Sequence, residues 1–150
     1  MVAKRFYDSK KYLSFRQQDF LLRREYPSFN LVELPRSEVY IKWIGKIKPN
    51  VFSREYEIEI TCKKNSIIPI VKILSPKLIN KYGKIPHIYN NTKGLCLFYP
   101  YDEKDKVWTP QKPITLIIPW ISKWITFYEI FAITGKWYGG GVEHDGKKNC

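Results

Sequence analysis

The sequence predicts an α+β fold in which helices stand apart from an antiparallel meander. Three observations lead there. An early stretch carries apolar residues on one side among charged ones, a central run alternates with a period of two, and a late aromatic segment repeats at helical spacing.

Residues 10–26 read as a helix, because Leu13, Phe20 and Leu21 recur on one side among Lys, Arg, Gln and Asp, and Pro27 stops it. Strands follow. Val39, Ile41 and Trp43 alternate with Tyr40 and Lys42 before Gly45. Tyr56, Ile58, Ile60 and Cys62 alternate with Glu55, Glu57, Glu59 and Thr61. Residues 67–74 form a third candidate, in which Pro69 suits an edge or a bulge. Short connections favour a meander of three or four strands. Over residues 75–113 the pattern changes: Pro76, Pro86, Pro100, Pro110 and Pro113, with Gly83 and Gly94, break any regular element. An irregular stretch this long inside a compact domain is usually functional. Pro119 then suits the first turn of a helix. Trp120, Trp124, Tyr128 and Phe131 follow at steps of four, four and three, and Gly135 sits where that helix should end.

A chain of 150 residues is expected to form one domain, here over residues 1–138, with a Gly- and Lys-rich flexible tail over 139–150. Hydrophobic residues at 44% and aromatics at 16% exclude a disordered chain. Twenty-six Lys and Arg against fourteen Asp and Glu give a net charge of +12, which favours an anionic partner but also fits a solvated basic face. No uninterrupted apolar run nears the roughly 20 residues of a membrane span. The start, Met1-Val2-Ala3-Lys4-Arg5, leads into polar sequence rather than a secretory signal. A cytoplasmic protein with no membrane attachment is expected.

Three cysteines, Cys62, Cys96 and Cys150, with no CxxC pair, argue against a disulfide scaffold and a structural zinc site. Two histidines, His87 and His144, exclude an all-histidine metal site. GxxxxGK[ST], GxGxxG and GxSxG are absent, so nucleotide-loop and serine-hydrolase readings lack their motifs. No cofactor is implied.

Cys62 falls on the apolar face of its strand and reads as a small buried hydrophobe. Cys150 reads as an incidental exposed thiol, since a prenylation box needs three residues after the cysteine. Cys96 differs: it follows Gly94 on irregular backbone, where a large substrate can reach it. His87, nine residues upstream, can loop back to support an oxyanion or to adjust the thiolate. The competing reading is a core cysteine between Leu95 and Leu97.

Pro86-His87, Gly94-Leu95-Cys96-Leu97 and Trp108-Thr109-Pro110 resemble the active-site segment of ubiquitin-conjugating enzymes: His-Pro-Asn, a turn, a glycine, Ile-Cys-Leu, then Trp-x-Pro about a dozen residues later. The resemblance covers roughly residues 10–135 and is closest to the bacterial branch, whose members end in an aromatic helix like that from Pro119 to Trp137, followed here by Gly139-Gly140-Gly141 and His144. Such proteins occur in cyclic-oligonucleotide antiphage signalling operons and in ubiquitination-like operons. The resemblance implies the ubiquitin-conjugating-like fold: a meander flanked by an N-terminal helix and an aromatic C-terminal helix. It also implies that Cys96 is the catalytic cysteine of an acyltransferase, carrying the C-terminus of a partner as a thioester. That partner is a cyclic-oligonucleotide-making nucleotidyltransferase or a ubiquitin-like protein, and a separate enzyme must activate it, or the reaction must run without ATP. His87 falls where the family has an asparagine that supports the oxyanion, one residue further from the cysteine; an imidazole can donate the same bond or act as a base. Asp102, Glu103 and Asp105 are candidates to stand in for the acidic residue near the acceptor lysine, against a solvated acidic loop. His144 either folds back toward Cys96 or belongs to the tail. Trp108, Trp120, Trp124 and Trp137 read as packing residues. The alternative function is a non-catalytic basic adaptor that binds nucleic acid or an acidic protein.

Overall fold

The computed structural model describes residues 11–140. Helix α1 spans Phe15–Glu25, strands β1 to β4 span Asn30–Glu33, Tyr40–Ile47, Tyr56–Lys63 and Ile70–Ser75, and helix α2 spans Ile117–Thr134. The strands form one antiparallel sheet in chain order, β1-β2-β3-β4. The α+β expectation holds, with a four-stranded meander.

The period of two places most side chains where it predicts, except that Val39 precedes β2 and is exposed and Thr61 is buried beside Cys62. Ile41, Trp43, Gly45 and Ile47 on β2 lie opposite Cys62, Ile60, Ile58 and Tyr56 on β3, all buried. Lys46 opposes Glu57 and Glu59 opposes Lys72 on the other face, where opposite charges face each other across strands. Pro69 sits just ahead of β4, the edge strand, where its missing N–H interrupts no ladder.

The helices correct the sequence reading in two places. Ser14 caps α1: its hydroxyl accepts from the Gln17 N–H, and the Gln17 side chain accepts from the Ser14 N–H. Leu13 therefore precedes the helix, and Phe20 is 62% exposed rather than packed. The buried positions are Gln18, Asp19 and Leu22. The polar pair is buried because each is bonded. Gln18 donates to the Lys112 carbonyl at 2.9 Å and accepts from the Ile114 N–H at 2.7 Å, tying α1 to the turn before α2. Asp19 accepts from the Trp43 indole at 2.9 Å and from Arg23 at 2.8 Å.

Helix α2 begins at Ile117, two residues ahead of Pro119, because a 3-10 turn over Ile114–Leu116 leads into it. It ends as predicted, at Gly135 in the left-handed conformation (φ 74°). Residues Ile114–Thr134 are long and apolar enough by composition to cross a membrane, 21 residues at mean hydropathy 1.4. Counting uninterrupted apolar runs misses this span, because Lys123 and Glu129 break it. Here Ile117, Ile121 and Ile125 join the core with Trp43, Ile58 and Ile60.

Candidate functional site

The irregular segment after β4 is short of regular structure but not of order. His87 to Cys96 fold into a miniature hairpin: the Cys96 N–H donates to the His87 carbonyl at 2.9 Å, and the Tyr89 N–H to the Gly94 carbonyl at 2.8 Å. Ile88 and Leu95 pair between them. The Leu95 N–H donates to the Val71 carbonyl at 2.8 Å, docking the hairpin onto β4. Gly94 fits this contact because a β-carbon there would lie 3.3 Å from the Ile70 side chain and 3.4 Å from the Val71 nitrogen. His87 and Lys93 take left-handed backbone, with φ 57° and 62°. Such backbone is uncommon for residues with a β-carbon, less so for histidine than for lysine, and the hairpin's contacts hold both residues in it.

Cys96 is 8% exposed, about as buried as Cys62 at 6%. Leu95, Cys96 and Leu97 run along the edge of the core, so Cys96 is nearly buried yet borders open space. The two cysteines differ in surroundings. Burial among apolar groups pushes the Cys62 thiol up to about 12. Cys96 instead lines a groove of about 470 Å³ together with His87. The sulfur of Cys96 is disulfide-bonded in this structure, and thiol chemistry belongs to its reduced form.

Three walls complete the groove. Helix α2 contributes Trp120, Lys123, Trp124 and Phe127, which share a stripe at helical spacing. The loop after Cys96 contributes Phe98, Tyr99, Asp102, Asp105 and Lys106, and the segment after α2 contributes Trp137, Gly139 and Gly140. The loop is fixed from behind by buried Val107, Trp108 and Thr109, with the Trp108 indole donating to the Pro113 carbonyl at 3.2 Å. Glu103 is not among the lining residues and pairs instead with Lys106 at 3.6 Å. His144 and Cys150 lie outside the described residues.

His87 is half-buried, with its ring centroid 5.1 Å from that of Trp137. Burial pulls its pKa below the usual histidine value; a hydrogen bond to the Gly140 backbone pulls the other way, as a carbonyl acceptor does. A neutral imidazole, the form that burial favours, carries one N–H donor. Its second nitrogen is then an acceptor.

In the sequence the tryptophans read as packing residues. Trp120, Trp124 and Trp137 also shape the groove, and the stepped spacing of Trp120 and Trp124 was the available signal. Trp137 had none, because only the turn at Gly135 brings it beside Phe131 (6.3 Å between ring centroids) and His87. Among the described residues no group of three His, Cys, Asp or Glu converges to hold a metal.

A four-stranded meander, an N-terminal helix, and a cysteine presented from a docked hairpin beside an aromatic helix define a domain of the ubiquitin-conjugating-like class. A family model described as Type II CBASS E2 protein matches residues 18–145. The chain belongs to that family, and so has an E2-like role in CBASS antiphage defence. No curated protein matches it.

Proposed function

We propose that Cys96, as its thiolate, carries the C-terminus of a partner protein as a thioester and passes it to an amine. One observation carries this reading: Cys96 and His87 share a groove with two carboxylates, Asp102 and Asp105, and an aromatic wall. In the loading step the Cys96 sulfur attacks an activated acyl carbonyl, the S–C bond forms, and the activating group leaves. In the transfer step an amine nitrogen attacks the thioester carbonyl, the C–S bond breaks, and the thiolate departs. The amine must lose a proton. Two roles are open to His87, oxyanion donor through its N–H or general base through its unprotonated nitrogen, and the burial that favours the neutral ring suits the base role. Asp102 and Asp105 favour a cationic acceptor side chain, such as lysine, on that side of the groove. The partner suited to a CBASS context is the nucleotidyltransferase of the operon or a ubiquitin-like protein, and a reducing cytoplasm would keep the thiol available.

Charge supports a protein partner with an acidic surface. Residues 60–101 contain no Asp or Glu and seven lysines, Lys63, Lys64, Lys72, Lys77, Lys81, Lys84 and Lys93, a span that includes Cys96. None of the five ion pairs among the described residues involves them. The same observation favours, as a second reading, a basic adaptor that binds nucleic acid. Gel shifts with DNA or RNA across a salt series separate the two, since phosphate contacts give a steep salt slope.

The direct test co-expresses the protein with its operon partners and follows adducts by non-reducing gels and mass spectrometry. Wild type should give a thiol-sensitive adduct. Cys96→Ser should give a more stable oxyester, because an alkoxide leaves less readily than a thiolate, and Cys96→Ala should give none. Equal protection from phage by wild type and Cys96→Ala, with no adduct in either, removes the carrier mechanism.

A further inference from the structure

A single backbone atom ties the candidate site to α2. The His87 carbonyl oxygen accepts from the Cys96 N–H at 2.9 Å and from the Trp124 indole N–H at 3.1 Å. His87 holds this carbonyl in place from a left-handed conformation, φ 57°, uncommon for residues bearing a β-carbon though less so for histidine than for most. Relaxing to the ordinary extended region would swing the carbonyl away from both donors. The donor on the helix side is rigid. Trp124 is 4% exposed, its ring lies nearly parallel to Tyr128 at 5.8 Å and 9°, and Trp137 leans on it at 5.5 Å. Trp137 in turn touches the His87 ring.

We propose that Trp124 is a positioning residue: its indole N–H, acting through the His87 carbonyl, locks the left-handed turn that sets His87 and Cys96 relative to each other. The Trp124 ring also lines the groove, so packing and hydrogen bonding must be separated. Trp124→Phe keeps an aromatic ring and removes the donor. The consequence for acyl transfer rests on Cys96 being the carrier, whereas the consequence for the geometry of the thiol does not.

The experiment therefore reads both on the full chain under reducing conditions: the pH profile of Cys96 alkylation by iodoacetamide, and adduct formation with the operon partner. Trp124→Phe is expected to shift the alkylation midpoint and to slow adduct formation about five- to tenfold, the factor for one ordinary hydrogen bond, with KM for the acyl donor unchanged. Asparagine tolerates left-handed backbone, so in a His87→Asn background the same substitution should change alkylation less than twofold. Should Trp124→Phe lose its fold by thermal melt, benzothienylalanine at the same position removes the N–H while keeping the bicyclic shape. A wild-type alkylation profile in the folded donor-less variant overturns the proposal, even where adduct formation falls. A shifted profile in a protein whose wild type forms no adduct upholds the positioning role and instead removes the carrier reading.

Discussion

Gly45→Ala is expected to destabilise the domain sharply without altering the chemistry of Cys96. A β-carbon at position 45 would lie 2.3, 2.5 and 2.6 Å from three atoms of the Phe29 ring. Carbon atoms rest at about 3.5 Å or more, so the ring or the strand must retreat by about 1.2 Å. The strand cannot yield easily, since Gly45 sits opposite Ile58 in the middle of the β2–β3 ladder. Phe29 must move, and it is 1% exposed in the core. Overpacking costs about 1–3 kcal/mol, and complete loss of a buried phenylalanine about 3–5 kcal/mol. Partial expulsion should therefore cost about 2–4 kcal/mol. At roughly 2–4 °C per kcal/mol for a chain of this size, Tm should fall by about 5–15 °C. Urea titration and calorimetry measure this, and adding Phe29→Leu should return about 1 kcal/mol or more through relief of the clash. A Gly45→Ala midpoint within about 0.5 kcal/mol of wild type would refute the close-approach reasoning. The alkylation profile of Cys96 in the folded variant should match wild type.

Further expectations concern the site and its frame. The transfer rate should rise with pH through a histidine pKa lying below the usual value and then level off, and His87→Ala should lower it roughly 10²-fold or more; an unchanged pH profile in that variant removes the base role. Because burial favours the neutral His87 ring, the unfolded chain takes up the proton first as pH falls. The stability contribution is full above the unfolded value near about 6.5 and is lost as pH drops through the lower folded value, so acid titration of ΔG should be shallower in His87→Asn. Cys62, with its thiol pushed up to about 12, should resist alkylation at neutral pH in the native state and label only on unfolding. Trp43→Phe removes the buried bond to Asp19 and should cost about 1–3 kcal/mol in urea titration, with adduct formation unchanged in the folded protein.

Residues that interact with near neighbours were legible in the sequence. The alternation from Tyr56 to Ile60 fixes which side chains are buried because strand geometry is periodic, and Gly135 ends α2 because a left-handed cap favours glycine. The spacing of His87, Gly94, Cys96 and Trp108 marked the segment that forms the hairpin and its supporting loop. What no local pattern carried were the long-range bonds. Gln18 and Asp19 look like solvent-facing residues until Lys112, Ile114 and Trp43, far along the chain, satisfy them. Burying a polar group is tolerable only with such a partner, and the partner is chosen by packing rather than by sequence distance. The groove has the same origin: α2, the acidic loop and Gly139-Gly140 meet around Cys96 only once the sheet has placed the hairpin. The doubly bonded His87 carbonyl exists only in that assembly.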